Sequence, residues 1–277
     1  MAAACSPGNG TGPVVTTSIP QATSTTVAGS IVPCLSGDLP FANEGVIAAI
    51  GDATGDAAVL GGVRWEADEG CERVVLDFLG TAGSPASTLG PAGAFAFPES
   101  GVIRITLPPE IETSAVADTV LGGTLVERAY VVRDASNALF VDLHVPEGTA
   151  VAARAFEVAS PIRLVVDLRP GAAEPPIAHP SRGADTVVLG PAAGGALYPL
   201  RIAGYARGDQ RAVRIRLLVA GEIAEERSVA TSGFRDVWKA FDVRLPDGPS
   251  GPVDLYVGPV DAFEEPVGGV VIPLELP

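Results

Sequence analysis

The chain has 277 residues, of which 47% are hydrophobic but only 5% aromatic, so it can bury a core built from Val, Leu, Ile and Ala. Its formal net charge of −15 is the opposite of the basic surface a nucleic-acid binder needs, and it disfavours direct docking on an anionic membrane. No apolar run approaches the roughly 20 residues that span a bilayer, and 33 glycines with 25 prolines suit short strands and turns rather than helices.

Residues 1–30 contain no charge, and the first charged side chain is Asp38. The stretch SPGNGTGPVVTTSIPQATSTTVAGS has neither helical nor strand periodicity and is expected to be a disordered Ser/Thr/Pro/Gly-rich tether. Residues 31–170 are expected to form a first β unit. In GVIRITLPP, Ile103, Ile105 and Leu107 share one face and Arg104 and Thr106 the other. In NALFVDLHVPEG, Leu139, Val141, Leu143 and Val145 point inward, with Asp142 and His144 on the opposite, polar face. The stretch FANEGVIAAIGDATGDAAVLGG (41–62) reads as loop with a strand at most. GAAEPPIAHPSRGA (171–184) is a Pro-rich linker that marks the expected domain boundary. Residues 185–277 have the size of a small β-sandwich. RAVRIRLLVAG places Val213, Ile215 and Leu217 inward and Arg214 and Arg216 outward; PVDLYVGPV repeats this with Val253, Leu255 and Val257. LYPLRIAGYAR and GGVVIPLELP read as further strands, and no amphipathic helix is expected. The fold class is therefore all-β: two β-sandwich domains behind a disordered tether.

Two strands carry one pattern, Arg73-Val74-Val75-Leu76-Asp77 and Arg163-Leu164-Val165-Val166-Asp167. Residues four apart on a strand share a face but lie roughly 13 Å apart, so neither Arg can reach the Asp of its own strand. Antiparallel neighbours would set Arg73 opposite Asp167 and Asp77 opposite Arg163, each exposed pair worth at most about 1 kcal/mol. The competing reading is coincidental spacing on a solvent face.

The three cysteines, Cys5, Cys34 and Cys71, form no Cys-x-x-Cys pair and have no histidine cluster beside them, so no metal site is expected. Cys34 and Cys71 border folded sequence and are able to form a disulfide in an oxidising compartment, which leaves Cys5 over. The two histidines, His144 and His179, read as satisfied or solvated rather than catalytic. Nucleophile-elbow, zincin, P-loop and dinucleotide motifs are absent from the sequence. No cofactor and no enzymatic activity are expected. Asp52-Ala53-Thr54-Gly55-Asp56 faintly resembles a calcium loop but lacks its spacing and closing Glu. Glu225-Glu226 and Glu264-Glu265 read as solvated acids in turns. Trp65, Tyr205 and Trp238 are the candidate aromatic anchors of a binding surface; the competing reading buries Trp238 and Phe241 in a sandwich core.

GVRWEADEGCERVVLDFLG followed by ARAFEVASPIRLVVDLRP resembles the AMIN-like domain of actinobacterial secreted proteins and lipoproteins over residues 58–170. Val63-Arg64, Glu72 to Leu76 and Pro161 to Asp167 match its strand motifs, with Glu72 in place of the usual Asp and Cys71 where an aromatic is often found. Tyr198 to Arg207, Val213 to Leu217 and Phe234 to Phe241 resemble the Gmad2 immunoglobulin-like domain over residues 185–277. Ala2-Ala3-Ala4-Cys5 resembles a lipobox, although no charged or apolar leader region precedes it. These resemblances imply a non-enzymatic protein of the cell envelope, lipidated at Cys5 or else secreted. Its partners would be peptidoglycan, other envelope components or an envelope protein, with no nucleic acid, and with membrane contact only through the lipid. The alternative is an accessory regulator of a cell-wall hydrolase, or a hydrolase with an unrecognised carboxylate site.

Overall fold

Period-two alternation governs the computed structural model, which describes residues 33–172, 179–207, 212–230 and 237–277. The tether, Cys5 and most of the linker lie outside the described residues, as do Phe234 to Asp236 of the second resemblance. Among the described residues, eleven strands precede the linker: β1 (Gly45–Ile50), β2 (Ala57–Asp68), β3 (Cys71–Gly80), β4 (Ala92–Phe97), β5 (Val102–Thr106), β6 (Thr113–Ser114), β7 (Asp118–Val120), β8 (Arg128–Arg133), β9 (Leu139–His144), β10 (Val151–Val158) and β11 (Arg163–Pro170). Nine follow it: β12 (Ser181–Arg182), β13 (Thr186–Gly190), β14 (Gly194–Gly195), β15 (Leu200–Ala206), β16 (Ala212–Val219), β17 (Glu222–Ala230), β18 (Trp238–Leu245), β19 (Gly251–Gly258) and β20 (Val270–Leu276). A single 3-10 turn at Pro98–Ser100 is the only helical element among the described residues. The stretch 41–62, read as mostly loop, forms β1 and the first half of β2. Its small residues hide a strand because β1 lies at a sheet edge and needs only one apolar face.

The protein is all-β, built from three sheets. The longest runs β1-β4-β5-β9-β8-β18-β15-β13-β12, with β7 added beside β8. A second sheet, β10-β11-β3-β2-β6, faces its first half; a third, β14-β20-β19-β16-β17, faces its second half. Two cores follow. Leu60, Val74, Leu76, Ile103, Val141 and Leu164 belong to the first. Ile202, Ile215, Leu217, Leu255, Val257 and Ile272 belong to the second. These are the inward residues of the alternating runs.

The expected boundary at 171–184 separates the cores but not the structure. All the described residues belong to one compact unit. β18 pairs in parallel with β8 through Trp238–Val132 and Lys239–Arg133, carrying one sheet across both sandwiches. A third apolar cluster of Tyr130, Val132, Phe140, Val187, Tyr205 and Trp238 fills the seam, and Val237 is buried in the first core.

The repeated Arg-x-x-x-Asp pattern sets the second sheet. β3 and β11 are antiparallel with Arg73 opposite Asp167 and Asp77 opposite Arg163. Arg73 Nε and Nη2 donate to Asp167 at 2.5 and 2.8 Å, and Arg154 of β10 adds bonds of 3.0 and 2.8 Å. This triad is buried rather than solvent-facing. The segment from Pro33 to Ala42 covers it: Ser36 C=O accepts from Arg154 Nη2 at 2.7 Å, Phe41 lies against the Arg154 guanidinium, and Ala42 bridges to Ala153. Cys34 is disulfide-bonded to Cys71 at the start of β3, with Cα atoms 6.1 Å apart. Asp77 is bound more closely by Arg64, at 2.5 Å, than by Arg163, at 3.7 Å.

Asp167→Asn leaves two buried guanidiniums short of their countercharge and should cost about 3–5 kcal/mol in urea unfolding. Arg64→Ala removes a half-exposed pair and should cost no more than about 1 kcal/mol in the same measurement. Cys71→Ser, which opens a cross-link between residues 37 apart, should cost about 4 kcal/mol, and reductant should then no longer change the unfolding midpoint.

Candidate functional site

Two places gather polar chemistry from distant parts of the chain. The first is a cleft of about 210 Å³ at one end of the first sandwich, walled by Trp65, Asp68, Cys71, Glu72, Gly123 and Pro170 among others. Its organiser is Glu72, on the inner face at the start of β3 and only 4% exposed. The loop between β7 and β8 wraps this carboxylate. Thr124 N–H and O–H donate to Oε1 at 2.5 and 2.8 Å, Leu125 N–H to Oε1 at 3.0 Å, and Val126 N–H to Oε2 at 3.1 Å. The wrap requires glycine at 123, because a Cβ there would stand 2.0 Å from Glu72 Oε2. Trp65 Nε1–H completes the set at 3.1 Å, which fixes the half-buried indole across the cleft. Burial alone would raise the Glu72 carboxyl, but the bonds from Thr124, Trp65 and Leu125 outweigh it and hold it below the ordinary 4.5.

The second place is the seam between the sandwiches. Asp142 and His144, expected on a polar outer face, are 0% exposed, because the folded sheet lays β15 over β9. Arg104 grips Asp142 through Nε and Nη2, both at 2.8 Å. His144 Nε2 is hydrogen-bonded to Tyr205 Oη, and Arg182 Nη2 donates to His144 Nδ1 at 3.0 Å. Burial pushes Asp142 up against the opposing pull of Arg104 and pushes Tyr205 well up, and burial with Arg182, Arg128 and Arg104 nearby holds His144 well below 6.5. A neutral, fully enclosed imidazole with both nitrogens engaged is no general base for an outside substrate. A neighbouring cleft of about 320 Å³ opens between Phe97 and Arg104 on one side and Leu189 and Arg201 on the other. Arg104 and Arg201 are both already paired there, with Asp142 and Asp242.

Of the expected aromatic anchors, only Trp65 reaches a cleft. Tyr205 is 0% and Trp238 2% exposed, so neither presents a surface. They pack with Tyr130 in the seam, Trp238 edge-on to Tyr130 at 5.0 Å, with Phe241 in the second core as the competing reading had it. His179 Nε2 accepts from Gly148 N–H at 3.2 Å. Asp56 is not poised for calcium: its carboxylate accepts from Ser87 and Thr88 N–H, which hold it below the ordinary range. Glu225 and Glu226 lie on strand β17 rather than in a turn, where Arg227 and Arg216 take them. Glu264 does sit in a turn, gripped by Arg216 at 2.8 Å. Cys34, Cys71 and Asp167 place ligand-type atoms within 4.8 Å of one another, but the sulfurs are bonded together and two arginines occupy the carboxylate.

No protein-family model, no curated protein and no solved structure matches this chain.

The Glu72 wrap has an acid signature. A depressed carboxyl contributes stability that is complete above its unfolded value and is lost as pH falls through its folded value. Glu72→Gln should therefore lower stability by about 1–3 kcal/mol at neutral pH and flatten the decline of the urea midpoint below the ordinary value of 4.5.

Proposed function

We propose that the chain is a non-catalytic, extracytoplasmic binding protein of the cell envelope whose first sandwich takes a cell-wall polymer in the Trp65 cleft. The observation that carries this reading is the fixed indole. Trp65 is half-buried, held by Glu72, and set beside Asp68 and a glycine-bearing turn in an open cleft. A rigid aromatic face with a few polar groups around it suits the apolar face and hydroxyl edge of a sugar ring. The Cys34–Cys71 disulfide supports an oxidising compartment, and the resemblances to AMIN-like and Gmad2 sequences support the envelope. Lipidation of Cys5 would tether the protein at the outer face of the membrane. A non-catalytic role agrees with the commitment of Asp142, Asp167, Glu72 and His144 to internal partners.

Co-sedimentation with insoluble peptidoglycan tests the reading. The wild-type chain should pellet with the polymer, Trp65→Ala should bind at least about tenfold more weakly, and Trp65→Phe should keep most of the affinity. Failure of the wild-type chain to pellet would overturn polymer binding, and turnover of a muropeptide would overturn the non-catalytic role.

A further inference from the structure

His144 and Tyr205 belong to different sandwiches, three strands apart in the shared sheet, yet their side chains meet. Hydrogen-bond chemistry fixes the protons along the seam. A guanidinium only donates, so Arg182 Nη2 at 3.0 Å requires a bare Nδ1 on His144. The ring hydrogen is then on Nε2 and goes to Tyr205 Oη. The run from Arg182 to Tyr205 thus goes in one direction through a neutral imidazole.

We infer that His144 is an acid-sensitive latch: one solvent proton taken up on Nδ1 breaks the Arg182 bond and releases β12 and β15 from the first sandwich. An imidazolium N–H would face a guanidinium N–H across the same 3.0 Å. The surrounding charges do not rescue it. Arg182 from β12, Arg128 from β8, Arg104 from β5 and His179 from the segment before β12 all disfavour the cation. Glu127 is taken by Arg182, Asp118 by Arg128 and Arg207, and Asp142 by Arg104. Tyr130, packed on the imidazole at 4.7 Å, is held neutral by burial. Arg182 stands on β12, a two-residue strand at the rim of the sheet, where its other hold on the first sandwich is the Glu127 pair. The sign follows. A histidine held below its unfolded value of 6.5 contributes stability that is complete above 6.5 and is drawn down as pH falls below it.

The test uses the full chain carrying Trp65→Phe, so that Trp238 in the seam is the sole indole. Lowering the pH from about 8 to about 5 should give a reversible, cooperative change in Trp238 emission and a larger radius of gyration in solution scattering, with far-UV circular dichroism unchanged. Arg182→Gln should raise the pH at which His144 protonates by about one unit, because the repelling cation is gone, while Trp238 emission no longer follows that proton, because a glutamine oxygen accepts it; His144→Gln should abolish the transition. Nitrogen-15 histidine spectra, assigned with His179→Asn, should show Nδ1 unprotonated at neutral pH. If His144→Gln does not fold, the Arg182→Gln shift and the tautomer decide. A proton on Nδ1 at neutral pH, no transition down to about pH 5, a His144 protonation midpoint unmoved by Arg182→Gln, or an imidazolium that leaves Trp238 undisturbed while Arg182 is present would each overturn the latch.

Discussion

The placement of the second sandwich depends on one bend in one sheet. β18 touches β8 through only two residue pairs, and beyond them the strands turn so that the outward faces of β9 and β15 close on each other. Two parallel pairs are a slight connection, so the seam is held by what the bend encloses. That is an aromatic cluster around Tyr130 and Trp238, the Arg104–Asp142 pair, and the bonds of His144 to Tyr205 and Arg182. Enclosing Asp142 and His144 without partners would cost several kcal/mol. With partners for Asp142 and for both nitrogens of His144, the same groups help to set the angle between the two halves.

The first sandwich solves a related problem on its outer face. Arg73, Arg154 and Asp167 share that face and would stand half-solvated but for the segment from Pro33 to Ala42. The disulfide and the Arg154–Ser36 bond hold the segment down, and the phenyl ring of Phe41 spreads over two guanidiniums, those of Arg154 and Arg169. Glu72, one residue from the disulfide, faces inward and organises the cleft. Neighbouring residues of β3 therefore serve opposite faces, one sealing the sheet and the other shaping a site.

Much of this was legible in the sequence, and the limits are physical. Alternation in NALFVDLHVPEG correctly assigned both faces of β9. It could not say that the Asp142–His144 face is covered, because alternation reports difference between faces and not what lies beyond them. The Arg-x-x-x-Asp repeat carried the true register of β3 and β11. The burial of Arg73–Asp167 and the arrival of Arg154 depend on a third strand and a covering segment that no local pattern announces. Tyr205 and Trp238 were read as anchors from residue type alone, which does not separate a buried aromatic from an exposed one. The wrap of Glu72 by Thr124 to Val126 joins residues about fifty apart, mostly through backbone N–H groups, so side-chain identity left little trace beyond Gly123 and the Thr124 hydroxyl.

The disulfide also decides how the protein bears load. The chain leaving Cys34 toward its N-terminus is bonded not to an edge strand but to Cys71, on the middle strand of the five in its sheet. A pull delivered from that end enters β3, which is hydrogen-bonded to β2 on one side and β11 on the other. The load is then shared along two ladders at once instead of peeling β1 open one bond at a time. A load applied at Cys34 would therefore leave the first sandwich closed longer than the same load applied at β1.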